Sequence, residues 1–180
     1  MVEGGATRAA SVANALRAVD TELVAIHDAA RPLLDPALVE AVVATLVADP
    51  AAAGAIAAAP VTDTIKRAEA TGGAVGGSEG AGGVGNPEEA RSRAVEGTLD
   101  RDRLWAAQTP QVFRAEALRE ALASASESTV TDEAMLVEAA GGRVLIHPAP
   151  PENLKVTTPL DLRLAALLLA ESANSRNKHG

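Results

Sequence analysis

Asp28 and Arg31 are the side chains whose types and spacing first suggest chemistry. They stand three apart in His27-Asp28-Ala29-Ala30-Arg31-Pro32, directly after the apolar run 23–26. Asp28 offers hard oxygen of the kind Mg²⁺ takes, and Arg31 offers a planar fork that fits phosphate. Ala29 and Ala30 leave the space between them open, and Pro32 stops a strand from continuing. The same two residues also read as an ordinary ion pair at a strand end. Arg8 and Ser11 fall on one face of the first turn of an expected helix, where free N–H groups and the helix dipole suit an anion. Gln108-Thr109-Pro110-Gln111 is polar sequence inside an apolar stretch. It reads as a turn that aims hydroxyl and amide groups, Thr109 among them, at a ligand. Thr131 precedes another expected helix, as its N-cap or as a hydroxyl within reach of a phosphate at the same helix end. His27, His147 and His179 show no metal-ligand spacing, and His27 reads as a strand-end hydrogen-bonding group rather than a base.

The elements that must position these residues follow in order. After a glycine turn, Thr7 caps a helix over 8–19 with Val12, Ala15, Leu16 and Val19 at helical spacing. Residues 23–26 read as a short buried strand, and strand ends are where ligands bind in an open α/β sheet. Asp35 as N-cap and Pro36 as first residue open a second helix that Asp49-Pro50 ends. A small-residue strand over 53–59 then completes a β–α–β unit with a right-handed crossover. Val61, Asp63 and Ile65 alternate with Thr62, Thr64 and Lys66 as in a strand. Residues 70–97 are Gly-rich with little to bury and read as a flexible loop. Within it, Gly80-Ala81-Gly82-Gly83-Val84-Gly85 formally matches a dinucleotide fingerprint but follows no strand. Asn86-Pro87-Glu88-Glu89 suits the cap of a short helix reaching about Val95. Trp105 and Phe113 read as core. Helices over 114–123 and 133–140, a strand over 143–147, an extended stretch over 152–158 and a helix over 159–170 complete the domain, and 172–180 read as a frayed polar tail.

Composition bounds the rest. The 180 residues suffice for a single domain with a core, which must be aliphatic because aromatic content is 1%. The absence of cysteine rules out disulfides and thiolate metal sites. The formal net charge of −8 argues against nucleic acid as partner, so any phosphate site must be a local basic cluster. No apolar run reaches the length of a membrane span and no secretory signal is visible, which makes the cytoplasm the expected compartment.

Several stretches, in this order, resemble the 2-C-methyl-D-erythritol 4-phosphate cytidylyltransferase family. They are Gly4-Gly5-Ala6-Thr7-Arg8-Ala9-Ala10-Ser11-Val12, His27-Asp28-Ala29-Ala30-Arg31-Pro32 and Pro60-Val61-Thr62-Asp63-Thr64-Ile65-Lys66, then Leu99-Asp100-Arg101 with Leu104-Trp105. Thr109-Pro110-Gln111, Thr131-Asp132-Glu133-Ala134 and Glu152-Asn153-Leu154-Lys155-Val156-Thr157 continue the series. The resemblance implies an α/β, Rossmann-like three-layer nucleotidyltransferase fold of the glycosyltransferase-A-like kind over 1–171. It also implies a protruding β-arm over 60–103 whose tip is the Gly-rich insert.

What the resemblance implies for activity is transfer of a cytidylyl group from CTP to methylerythritol phosphate, in isoprenoid precursor synthesis. Gly5, Arg8 and Ser11 would recognise cytidine. Asp28 would hold Mg²⁺ and position the acceptor. Arg31, Thr131 and Lys155 would surround the phosphates, with Lys155, Asp28 and Arg31 catalytic and Thr109 on the substrate. Thr64 and Arg101 would lie on the arm, which crosses to the partner of a homodimer. The family's opening strand and Gly-rich loop, Leu-Ala-Ala-Gly-x-Gly-x-Arg-Met, are not in this chain. The expectation is therefore an N-terminally truncated member without its first β–α units, each about 30 residues, which keeps the acceptor half of the site, lacks the loop for the CTP phosphates and need not turn over alone. Ribitol-5-phosphate cytidylyltransferase and a non-catalytic dimerisation remnant stay open as alternatives.

Overall fold

A computed structural model describes residues 2–69, 93–124 and 132–177 of the chain. It divides into two compact units, Met1–Ala59 with Ala106–Gly180, and Pro60–Trp105.

The first unit is built on a four-stranded sheet among the described residues. Helix α1 (Arg8–Leu16) starts where Thr7 accepts a hydrogen bond from the Ala10 N–H at 3.1 Å. Strand β1 (Leu23–Ile26) follows, then α2 (Pro36–Ala48), capped by Asp35 on the Ala37 N–H at 2.9 Å. Strand β2 (Gly54–Pro60) is buried along almost its whole length, as expected of a strand covered on both faces. The small pair β3 (Lys66–Ala68) and β4 (Val95–Thr98) belongs to the second unit. Next come β5 (Trp105–Arg114), α3 (Ala115–Ser124), α4 (Glu133–Ala139), β6 (Val144–Pro148) and α5 (Pro159–Asn177).

The sheet order is β1-β5-β2-β6. Strands β1 and β5 are antiparallel, with Leu23 opposite Arg114 and Ile26 opposite Gln111. Strands β2 and β6 are parallel, with Gly54 opposite Val144 and Ala58 opposite Pro148. Side-chain alternation sorts the sheet into two faces. Ile56 and Phe113 face one cluster with Leu16 of α1, Leu118 and Ala121 of α3, and Ala134, Leu136 and Val137 of α4. Their neighbours Ala55, Ala57 and Val112 face another with Leu38, Val42 and Leu46 of α2. Helices therefore cover both faces of the sheet, the three-layer α/β arrangement anticipated from the sequence. Gly54 is required at its place, because a Cβ there would run into the Phe113 ring. Among the described residues no helix is long and apolar enough to cross a membrane.

Several boundaries differ from expectation. The first β–α–β unit is not a pair of neighbours, because the long β5 pairs with β1 and stands between it and β2. Gln108-Thr109-Pro110-Gln111 is not a turn: it lies inside β5, buried, with a cis Thr109–Pro110 bond. Helix α4 is capped by Asp132, which accepts from the Met135 N–H at 2.8 Å, rather than by Thr131. Thr131 itself lies outside the described residues. Phe113 is core, but Trp105 is 38% exposed at the start of β5. Of the stretch 61–66 only Lys66 is in a strand, the preceding residues making isolated long-range bonds, Val61 N–H to Leu104 O and Leu99 N–H to Ile65 O, rather than a continuous ladder. The Gly-rich stretch ends earlier than expected, because Val95 to Gly97 belong to β4. The Gly80–Gly85 fingerprint and the Asn86-Pro87 cap lie outside the described residues. Helix α5 continues to Asn177, beyond the expected end at residue 170.

Candidate active site

The loop after β1 is held by a chain of hydrogen bonds that begins on the strand beside it. The Arg31 N–H donates to Asp28 O at 2.9 Å, closing a tight turn over Ala29 and Ala30. The Asp28 N–H donates to Thr109 Oγ1 on β5 at 3.0 Å. His27 lies 2.9 Å from the same hydroxyl through Nδ1 and 3.0 Å from Arg31 O through Nε2. A carbonyl oxygen only accepts, so Nε2 carries a proton. In the neutral ring Nδ1 then accepts from the Thr109 hydroxyl, and every partner in the chain is satisfied. His27 is thus a hydrogen-bonding group at the strand end, as read from the sequence.

This turn sets Asp28 and Arg31 at one end of β1, where three cations from three segments converge on one carboxylate. Lys155 Nζ lies 3.1 Å from Asp28 Oδ2, and Arg31 Nε lies 3.7 Å from the same oxygen. Arg8 Nη2 lies 3.9 Å from Oδ1, beyond hydrogen-bond distance, so Oδ1 keeps open acceptor capacity. Arg31 is fixed further by Nη1 donating to Asn153 O at 2.6 Å and Nη2 to Ala107 O at 3.5 Å. Burial pulls the Arg31 guanidinium below its ordinary pKa, and the nearby Asp28 charge opposes that shift. The Val156 N–H donates to Ala30 O at 2.8 Å, tying the Lys155 segment to the turn. Asn153 is buried and bridges β5, donating through Nδ2 to Gln108 Oε1 and Thr109 O, both at 2.8 Å. Arg8, Asp28, Arg31, Thr109 and Lys155 line a cleft of about 190 Å³ together with Gln108, Gln111 and Asp132.

Arg8 connects this cleft to α4, where its Nη1 lies 2.5 Å from Oε1 of Glu133. Glu133 is 1% exposed, so the ion pair fixes the start of α1 against the start of α4. Ser11 does not line the cleft. Its hydroxyl accepts from the Gly5 N–H at 2.9 Å and donates to Thr7 O at 3.0 Å, folding the glycine turn back on α1. Gly5 permits this, because a Cβ there would strike Ala10. Among the described residues no group of three or more histidines, aspartates and glutamates has metal-binding geometry.

The structure therefore brings Arg8, Asp28, Arg31, Thr109 and Lys155 together. Thr64 and Arg101 belong to the second unit, where Arg101 Nη1 donates to Thr62 O at 2.8 Å. Sequence reasoning passed over Glu133, Asn153 and Asp132 as site-builders. All three lie inside stretches quoted for the resemblance, but their partners are distant in sequence.

Comparison with known proteins agrees with the geometry. A family model described as 2-C-methyl-D-erythritol 4-phosphate cytidylyltransferase matches residues 1–83 and 88–171. The protein of that name from Dechloromonas aromatica (strain RCB) is 44% identical over 171 residues, covering 92% of this chain and 64% of the relative. The bifunctional enzyme IspD/IspF of Anaeromyxobacter dehalogenans (strain 2CP-C) is 46% identical, covering 93% of this chain and 39% of the relative. The crystal structure of the Thermus thermophilus cytidylyltransferase superposes with a TM-score of 0.70 at 35% identity, covering 93% of this chain and 72% of that one. The chain thus spans less than two thirds of the length of the first of these relatives. A nucleotidyltransferase fold, a cation-ringed cleft at the end of β1 and a family match over nearly every residue lead to one assignment: the chain belongs to the 2-C-methyl-D-erythritol 4-phosphate cytidylyltransferase family.

Proposed function

We propose that this protein takes part in transfer of a cytidylyl group from CTP to 2-C-methyl-D-erythritol 4-phosphate, a step of isoprenoid precursor synthesis. The convergence of Lys155, Arg31 and Arg8 on Asp28 carries the reading. In this reaction an oxygen of the acceptor's phosphate attacks the α-phosphorus of CTP. The new O–P bond forms as the bond to the β-phosphate oxygen breaks, and pyrophosphate leaves with that electron pair. The protein does no covalent work, so positioning and charge neutralisation dominate. Lys155 and Arg31 face the spread charge. Asp28 holds both cations in place before substrate arrives, and their attraction to it falls as phosphate oxygens take over. Thr109 and Thr131 contact the acceptor, and Gly5, Arg8 and Ser11 contact the cytidine side.

Asp28 Oδ1, the oxygen farther from any cation, suits a Mg²⁺ whose remaining ligands are phosphate oxygens and water. When bound, that ion supplies further neutralisation of phosphate charge. Thr64 and Arg101 act from the arm of one protomer on the acceptor site of its partner, which makes the working unit a homodimer. The compartment is the cytoplasm.

Phosphorus NMR of the purified chain, alone and with the family's Gly-rich N-terminal segment supplied, in the presence of CTP, methylerythritol phosphate and Mg²⁺ tests the reading. The expected result is a new cytidine diphosphate ester and free pyrophosphate. Preference for ribitol 5-phosphate would move the chain to the sister activity. Binding of both substrates with no product would make the chain a non-catalytic binding module.

A further inference from the structure

Gln111 borders the cleft but has no part in the network described above. It stands on the face of β5 that carries Ala107 and Thr109, opposite Ile26 of β1, and it is 3% exposed. Its Oε1 is buried without a hydrogen-bond partner among the described residues. Gln108, which lines the same cleft, shows the contrast. Its Nε2 donates to Pro150 O at 3.3 Å and its Oε1 accepts from Asn153 Nδ2 at 2.8 Å, so that amide is bound at both ends.

A buried amide acceptor left unpaired costs stability, and an apolar side chain of the same length would avoid the cost. The neighbouring cations make no hydrogen bond to it, although they have donors to spare and Arg31 Nε is itself buried without a hydrogen-bond partner among the described residues. Arg8 bonds Glu133, Arg31 bonds Asn153 O, and Lys155 faces Asp28. The unmet acceptor therefore awaits a donor from a ligand. Three cations draw a phosphorylated ligand into this cleft, and they repel an ammonium group. The uncharged donors on such ligands are hydroxyls, which nucleotide and polyol phosphate both carry, and the amine of cytosine.

We infer that Gln111 Oε1 accepts a hydrogen bond from a hydroxyl of the phosphorylated substrate, and so helps decide which phosphate ester the cleft prefers. This rests on the reading that the cleft binds CTP and a polyol phosphate. It adds a specificity residue to those cation contacts, which recognise phosphate alone. A site built to hydrogen-bond a hydroxyl rejects a ligand that lacks it. The hydroxyl comes either from the ribose of the nucleotide or from the polyol acceptor.

Titration calorimetry of wild-type protein and Gln111→Met with CMP, ribose 5-phosphate, methylerythritol 4-phosphate and inorganic phosphate separates these sources. We expect either CMP or methylerythritol 4-phosphate to bind about five- to tenfold more weakly to the variant. Inorganic phosphate should bind equally to both proteins, and the variant should melt no lower than wild type. Loss with methylerythritol 4-phosphate identifies a polyol hydroxyl; loss with CMP that ribose 5-phosphate shares identifies a ribose hydroxyl, and loss that ribose 5-phosphate escapes assigns the cytosine amine and overturns the inference. In the wild-type protein the Gln111 side-chain amide NMR signals should move with the ligand that loses affinity and stay in place with inorganic phosphate. Unchanged affinity for both CMP and methylerythritol 4-phosphate, or unmoved amide signals, would overturn the inference. Equal loss of inorganic phosphate would overturn it too, by assigning the amide N–H to phosphate, and a lowered melt with all binding lost would make Gln111 structural. A wild-type protein that bound inorganic phosphate but neither CMP nor methylerythritol 4-phosphate would instead sink the cytidylyltransferase reading itself, and this inference with it.

Discussion

Lys155 is the cation nearest Asp28 and is half exposed, so its charge is available to a ligand at little structural cost. Lys155→Met removes a transition-state contact while leaving the Arg31 anchors on Asn153 and Ala107 intact. We expect kcat/KM to fall by about 10² to 10³, the range for loss of one preorganised charge-stabilising group, with little change in melting temperature. Steady-state kinetics and a thermal melt check both halves. Arg31 is different, because its side chain is largely buried and its fork holds two backbone carbonyls at once. Lysine cannot reproduce that fork. Arg31→Lys should therefore lower stability by about 1–3 kcal/mol as well as activity, read by denaturant unfolding. A variant that lost activity at full stability would mean that the carbonyl anchors contribute nothing.

At the scale of elements, the start of α5 fixes the segment that carries Lys155. Asp161 Oδ2 accepts from the Thr157 N–H, the Thr157 hydroxyl and the Thr158 N–H, while Thr158 Oγ1 accepts from the Asp161 N–H. These bonds, those of Thr157 foremost, lower the Asp161 carboxyl to about 2. A depressed carboxyl contributes its stability above its unfolded value of 3.8 and loses it as pH falls through the folded value. The helix start should therefore loosen between about pH 4 and pH 2, seen as a carboxyl titration near 2 by NMR and absent in Asp161→Asn. In the sheet, Gly54→Ala drives a methyl into Phe113 and should cost about 1–3 kcal/mol in a denaturant melt.

The same elements show what the sequence made legible. Asp35 with Pro36, and Thr7 before an apolar periodicity, marked helix starts because cap and pattern are local and agree. Strand β1 was legible in its bounds because its apolar run ends in Asp28 and Pro32, but not in its burial: it ends the described sheet, and none of its residues is fully buried. Gln108-Thr109-Pro110-Gln111 was misread as a turn because its polar groups find partners far along the chain. Asn153 and Pro150 satisfy Gln108, and Asp28 satisfies Thr109. Asp132 displaced Thr131 as the cap of α4 because both are good capping residues, and only backbone geometry chooses between them.

At the scale of the molecule, the α/β class followed from alternating strands and helices, and the layers on both sheet faces from the family resemblance. The site was legible only in part. Asp28 and Arg31 share a turn, whereas Arg8 meets Glu133 across 125 residues of sequence, and no pattern in the chain announces that pair. The homodimer proposed from the arm carries its own expectation: light scattering should give twice the chain's mass of 18.2 kDa. A monomer at micromolar concentration would detach Thr64 and Arg101 from any partner's site.

The most direct test is acceptor-dependent pyrophosphate release, comparing wild-type protein with Asp28→Asn. If Asp28 gathers Lys155, Arg31 and Arg8 for cytidylyl transfer, wild-type release should require CTP, methylerythritol phosphate and Mg²⁺ together. Asp28→Asn should lower it by about a hundredfold or more at an unchanged melting temperature. Release that ignores the acceptor, release by Asp28→Asn at the wild-type rate, or none from the wild-type protein even with the family's Gly-rich N-terminal segment supplied would contradict this.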